Sequence, residues 1–184
     1  MIQKALWRAH CRAYRAALQE AEYVERSARI RDHLLALPEW SRAGVVALYR
    51  PLRARREVDV GPLFSAAWAA GKRVLAPVMA NQTLHFGTVY PDTRWRLGPY
   101  GVEEPESWDL GAFAPDLIVV PSLGADRLGY RIGYGKGYYD RALRGQGAFL
   151  VAPVYEACVA ERLCSEPYDV PVHALVTEEG VWRP

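Results

Sequence analysis

The residues best suited to chemistry crowd into one stretch. Arg131, Gly133, Gly135, Lys136, Gly137 and Asp140 fall within R-I-G-Y-G-K-G-Y-Y-D. Five of the chain's 15 glycines, Gly124, Gly129, Gly133, Gly135 and Gly137, lie close together here. Glycine loses more freedom on folding than any other residue, so such a cluster needs a local use. It suits a backbone that curls tightly and aims several N–H groups at one anion. Lys136, between two glycines, adds an uncrowded charge, and Arg131 adds a second. The chemistry expected is the cradling of a phosphate. A flexible glycine-rich surface loop is the other reading.

The flanking sequence favours the cradle. Leu117-Ile118-Val119-Val120 is a continuous apolar run, as in a strand buried on both faces, and Pro121 ends it. After Gly137, Tyr138 to Arg144 reads as a helix with Gly145 as its stop. The order is strand, glycine loop with lysine, helix. It is not the P-loop, because Gly137 and Tyr138 follow Lys136 where Ser or Thr is required. It also fits the dinucleotide fingerprint poorly, since Gly133 lies far past Val120.

The stretch Arg131 to Arg141 resembles the signature of the 5-formyltetrahydrofolate cyclo-ligase family, also called methenyltetrahydrofolate synthetases. The likeness runs upstream through V-V-P-S-L-G-A-D-R-L-G, similar to the family's V-P-G-L-x-F-D-x-x-G, with Ser122 for Gly and Ala125 for Phe. The resemblance implies an enzyme that uses ATP to cyclise 5-formyltetrahydrofolate to 5,10-methenyltetrahydrofolate, releasing ADP and phosphate through a phosphorylated formyl intermediate. It implies ATP contacts at Lys4 and Arg8, which keep the family's K-x-x-L-R spacing with Trp7 for Leu. It implies further ATP contacts along Arg131, Gly133, Tyr134, Gly135, Lys136, Gly137, Tyr138 and Tyr139. Lys136 and Arg131 are the expected catalytic charges.

Folate contacts are implied at Glu57, which precedes Val58 in a P-L-x-x-E-V-like segment, at Arg50, and at Tyr134, Gly135, Lys136, Gly137 and Tyr138. Tyr134 and Tyr138 are expected to wall a planar ring, or to pack the loop on the sheet; Tyr139 contacts ligand or faces the core. Arg50 departs from the hydrophobic residue common in the family. The run Arg53-Ala54-Arg55-Arg56 is unusually basic and offers charge for a polyglutamate tail. On the surface, Glu57 would instead pair with Arg55 or Arg56. Mg2+ is implied on Asp140 and Asp169. Without it, Asp140 would answer the helix dipole and Asp169 would be a turn residue before Pro171.

Other elements must position these residues. Residues 2 to 19 read as a helix, with Ile2, Leu6, Ala9, Ala13, Ala17 and Leu18 on one face and Arg8, Arg12 and Arg15 gathered on another. A second helix spans roughly 21 to 37, with Val24, Ala28, Leu34 and Leu35 as its apolar set. Val45 to Tyr49 and Arg73 to Val78 read as parallel strands joined by a helix from Leu63 to Ala70. Leu84 to Tyr90 reads as an edge strand and 91 to 112 as one long connection. Phe149 to Val154 is a strand, followed by a short helix near Ala157 to Leu163 and a last strand near Ala174 to Thr177. The expected fold is a single α/β domain, residues 1–184, of three layers: a mostly parallel sheet with helices on both faces. The family resemblance implies the same.

Composition excludes some classes. With 184 residues, 23 basic against 21 acidic and a net charge of +2, there is no electrostatic case for a nucleic-acid binder. No signal peptide is evident, and apolar runs are too short for a membrane span. Cys11, Cys158 and Cys164 lack C-x-x-C spacing and read as reduced thiols, so a cytoplasmic monomer is expected. The competing functional readings are a nicotinamide-dependent oxidoreductase with Glu156 as its ribose acid, an anion binder using the first helix, and a non-catalytic nucleotide or folate binder.

Overall fold

The computed structural model describes residues 1–109 and 113–184. The chain opens with three helices, α1 (Lys4–Ala17), α2 (Glu20–Leu35) and α3 (Pro38–Arg42). Then come strand β1 (Val45–Ala47), helix α4 (Pro62–Ala69), the paired strands β2 (Arg73–Ala80) and β3 (Thr83–Val89), and a hairpin of β4 (Trp95–Leu97) and β5 (Glu103–Pro105). Next are β6 (Leu117–Val119), a second hairpin of β7 (Gly124–Asp126) and β8 (Arg131–Ile132), and helix α5 (Tyr138–Leu143). The chain ends with β9 (Phe149–Pro153), β10 (Val159–Ala160), β11 (Ala174–Val176) and β12 (Val181–Trp182).

One sheet organises the molecule, in the order β12-β11-β9-β6-β1-β2-β3. Its five inner strands run parallel, and the edge strands β3 and β12 pair antiparallel. This is the expected mostly parallel sheet with helices on both faces. The inner strands are short apolar runs because side chains on both faces are covered: Val46, Leu117, Ile118, Val151 and Leu175 are fully buried. Each such side chain contributes about 1.5–3 kcal/mol when taken from water.

The order also locates a crevice. From β1 the chain moves one way, to β2 and β3, and then returns to place β6 on the other side of β1. At such a reversal the loops leaving the two strands diverge and open a hollow beyond their carboxyl ends. Here those loops carry Tyr49 to Glu57 after β1 and Pro121 to Leu123 after β6.

Several expectations are corrected. The face of α1 that packs inward is Lys4, Trp7, Arg8, Cys11, Tyr14 and Arg15, whereas Leu6 is exposed and Ile2 precedes the helix. Spacing of 4, 7, 8, 11, 14 and 15 is a helical stripe, but it is partly cationic because it meets backbone carbonyls rather than an apolar face. Arg8 Nε donates to the Gly133 carbonyl at 3.0 Å, and Arg15 Nη2 donates to the Ser122 carbonyl. In α2 the buried residues are Tyr23, Ser27, Ile30 and Leu34; Val24 is exposed. The connection from 91 holds the β4–β5 hairpin; its residues 110–112 lie outside the described residues. The glycine-rich stretch is not all loop, since β7 and β8 pair antiparallel within it. Asp126 pins that hairpin, accepting from the amides of Leu128, Tyr130 and Leu163. In place of a helix at 157–163 there is one 3-10 turn and β10, and β11 is followed by β12.

Candidate active site

The crevice is a cavity of about 490 Å³, a volume that suits an organic ligand rather than a lone ion. The site residues that the family resemblance implies line it: Lys4 and Arg8 from α1, Arg50 and Glu57 from the loop after β1, and Arg131, Gly133 to Tyr139 and Asp140 from the glycine loop and α5, with Asp169 beyond.

The glycine loop forms one wall. Gly135 (φ +93°) and Gly137 (φ +66°) take the left-handed backbone that a side chain resists. Gly137 is also the residue from which α5 starts. Among the described residues, no protein group accepts from the N–H groups of Gly133, Tyr134, Gly135, Lys136 or Gly137. Consecutive free amides in such a curl make an anion-binding concavity. Below it, Arg8 holds the Gly133 carbonyl and keeps the loop against α1. The Lys136 carbonyl accepts from Arg141 at 3.1 Å, but its side chain is exposed and, among the described residues, makes no ion pair. Tyr138 meets the Tyr100 hydroxyl at 2.8 Å, so the β4–β5 turn touches the start of α5.

Two carboxylates stand beside the loop, each already balanced by a cation. Asp140 Oδ1 accepts from Arg131 Nη2 at 3.1 Å and from the Val170 amide at 3.2 Å. Asp169 Oδ2 pairs with the Lys4 ammonium and accepts from the Glu166 amide at 2.6 Å. In both, the described bonds use one carboxylate oxygen and leave the other. Among the described residues, no group of three or more His, Cys, Asp or Glu gathers into a metal cage. The donor set instead fits Mg2+, which takes one or two carboxylates and completes its shell with waters and substrate phosphates. Arg131, 6% exposed, is held against strong desolvation: burial works against its charge, and Asp140 is the largest influence restoring it.

The opposite wall is apolar with buried carboxyls. Leu52, Val78, Met79, Leu84 and Val102 line it. Glu57 is not a surface carboxylate paired with Arg55 or Arg56. It is 4% exposed and accepts from the Leu52 amide at 2.8 Å. Burial pushes its pKa up, and the nearby Arg15 charge is the chief opposing influence. Arg50 lies 4.7 Å over the Trp95 ring and pairs with Glu103, tying the loop after β1 to the β4–β5 hairpin. Tyr139 packs edge-on against Phe86 and lines the cavity. Burial raises the Tyr134 phenol, which lies 5.1 Å from Arg55. Arg53 and Arg56 are engaged elsewhere, with Asp59 and Glu20, so only Arg55 of the basic run lines the cavity.

Sequence reasoning missed Tyr49, Tyr100, Glu104 and the charge of Arg15. The stripe Lys4-Arg8-Cys11-Arg15 was legible and would have turned Arg15 inward. Tyr100 and Glu104 carry no local signal; only the hairpin brings them to the cavity. Glu156, the acid of the oxidoreductase reading, pairs with Arg127 and does not line it.

Fold and site together define a three-layer α/β protein in which a glycine-rich loop with free amides and an apolar, carboxyl-bearing slot share one cavity at the switch point of the sheet. The sequence matches the 5-formyltetrahydrofolate cyclo-ligase family over residues 1–178, and the chain belongs to that family. It is similar to the 5-formyltetrahydrofolate cyclo-ligase of Escherichia coli strain K12, 29% identical over 182 residues that cover 94% of this chain and 98% of that one. Its fold is similar to the NMR structure of Aquifex aeolicus 5,10-methenyltetrahydrofolate synthetase, with TM-score 0.85, 34% identity, and coverage of 98% of this chain and 92% of that one. The Mycoplasma pneumoniae 5,10-methenyltetrahydrofolate synthetase shares the fold at TM-score 0.74 and 22% identity, over 95% and 98% of the two chains.

Proposed function

We propose that this chain catalyses the ATP-dependent cyclisation of 5-formyltetrahydrofolate to 5,10-methenyltetrahydrofolate, with ADP and phosphate as the other products. The observation that carries this is one cavity holding both a curl of free amides beside Lys136 and an apolar slot with the buried Glu57. The first suits a triphosphate and the second a pterin. A formamide oxygen leaves poorly as it stands. Attack of that oxygen on the γ-phosphorus, with ADP departing, turns it into a phosphate ester; N10 of the same folate then attacks the formyl carbon, loses its proton, and phosphate leaves. The protein aligns oxygen and phosphorus and neutralises charge on the equatorial oxygens. The amides of residues 133–137 hold phosphate oxygens. Lys136 and Arg131 supply positive charge, Lys4 and Arg8 fix the nucleotide end, and Tyr134 and Tyr138 shield it from water. Arg50 and Glu57 hold the folate, and Arg55 is the basic residue that a polyglutamate tail would meet.

Mg2+, when bound, draws charge from the phosphates; Asp140 and Asp169 would hold it through their remaining oxygens. We place the enzyme in the cytoplasm as a monomer of one domain, residues 1–184. Three free cysteines suit a reducing compartment. No helix among the described residues is long and apolar enough to cross a membrane. Mixing the protein with 5-formyltetrahydrofolate, ATP and Mg2+ is expected to raise methenyl absorbance, and chelating Mg2+ to stop it. Absence of product at saturating substrate, or ATP hydrolysis indifferent to folate, overturns the reading.

Glu57 gives a second test. Its carboxyl gains proton affinity on folding, so the folded state holds more protons than the unfolded chain between the ordinary value of 4.5 and the raised one. Stability from this group is present below that window and is lost as pH rises through it. Glu57→Gln removes the effect, so its stability relative to the parent is expected to rise as the pH is raised above the ordinary carboxylate value of 4.5, read by urea unfolding. Over the same range its KM for folate rises. A difference that stays flat with pH shows that Glu57 carries no buried charge.

A further inference from the structure

Glu104, on β5, is a second buried carboxyl in the same cavity and the mechanism above does not use it. It is 4% exposed. Its carboxyl group packs against Gly98, where a Cβ would come within 2.6 Å of the Glu104 Cδ, so a larger residue at 98 would displace the acid from its present place. Arg96, its cross-strand neighbour on β4, forms no ion pair with it, and no side chain among the described residues donates to it. The Met79 amide and the Arg96 charge favour its ionised form, but burial outweighs both and pushes its pKa up. The carboxyl keeps further donor and acceptor capacity for a ligand in the cavity. Val78, Met79, Leu84 and Val102, which line the same cavity, are apolar and suit the faces of a planar ring.

Taking the substrate class from the proposed reaction, on which this inference rests, the ring is a 2-amino-4-oxopteridine. Its aminopyrimidine edge presents a 2-amino donor beside the N1 acceptor. We propose that Glu104 reads this edge, its carboxyl O–H donating to N1 while its carbonyl oxygen accepts from the 2-amino group, alongside Glu57. The protonated form favoured by burial has the donor–acceptor pair this edge requires.

The test is binding to the full chain without ATP, by calorimetry, using 5-formyltetrahydrofolate and its 2-desamino analogue. Glu104→Leu, close in volume, is expected to weaken 5-formyltetrahydrofolate about tenfold or more and the analogue distinctly less, because the analogue keeps the N1 partner but has no 2-amino group to lose. Glu104→Gln presents the same acceptor and donor from an amide and is expected to hold the natural ligand within about threefold of the parent. KM for ATP stays unchanged in both, and thermal melting checks their fold; the near-isosteric Gln variant keeps the test alive if the Leu variant does not fold. Equal losses for both ligands would make Glu104 a slot wall only. Unchanged binding by Glu104→Leu, or Gln as poor as Leu, overturns the pairing. A parent that binds the folate while its Glu104 variants bind equally sinks this inference alone; a parent that binds no 5-formyltetrahydrofolate sinks the proposed reaction with it.

Discussion

Replacing Lys136 with methionine is expected to lower kcat by about a hundredfold or more, the scale of removing one aimed electrostatic stabiliser, and to leave thermal stability nearly unchanged. The asymmetry follows from where the side chain sits. Lys136 stands between Gly135 and Gly137 on the cavity wall, exposed, and among the described residues it makes no ion pair. Removing an exposed unpaired charge costs the fold little, typically within about half a kcal/mol. Lys4, Arg8 and Arg131 differ: each already holds a carboxylate or a carbonyl of the protein. On the proposed reading, Lys136 is therefore free to follow charge as it moves from the γ-phosphate to the leaving group. A compact ammonium on a flexible stem suits that task better than a planar fork. The chain has only three lysines, and this one interrupts a strong preference for arginine. Turnover and the folding midpoint, measured on the same preparation, decide the matter. Near-normal turnover in a folded variant would return the loop to a surface role.

Legibility divides along physical lines. Strands buried on both faces announce themselves, because nothing but apolar residues is stable there; Leu117 to Val119 and Phe149 to Pro153 were readable as they stand. The glycine loop was readable because unusual backbone leaves an unusual composition. α1 was misread for the opposite reason. Its inward face covers loop carbonyls and a ligand cavity instead of an apolar layer, so its buried stripe includes Lys4, Arg8 and Arg15, and an apolar pattern search selects the wrong side. The two hairpins were missed because strands of two or three residues show no period. Their positions rest on long-range contacts, such as Asp126 with the Leu163 amide and Arg50 with Glu103. Buried Glu57 and Glu104 could not be told from surface carboxylates, since nothing local marks either as enclosed.

Asp140→Asn is expected to act on two properties at once, and they can be separated. Arg131 is buried, and its charge depends first on Asp140. Breaking a fully buried pair costs about 3–5 kcal/mol, mostly from the charge left behind. Here the Asp140 side chain is 19% exposed and an amide oxygen still accepts from the guanidinium, so about 2 kcal/mol of stability is the expected loss. On the proposed reading, the second oxygen of Asp140 is also a ligand for Mg2+. Loss of that ligand charge should raise the Mg2+ concentration needed for half-maximal turnover about tenfold or more, since Mg2+ takes so few protein carboxylates. A double variant distinguishes the effects. Adding Arg131→Met removes the uncompensated cation, so stability should recover part of what Asp140→Asn lost, whereas the Mg2+ requirement should stay high. Asp169→Asn offers a comparison without a buried arginine, because its partner Lys4 is partly exposed and can reach solvent. Its Mg2+ requirement should rise with a smaller stability loss. If the Asp140→Asn enzyme saturates with Mg2+ as the parent does while losing the expected stability, Asp140 serves only to balance Arg131.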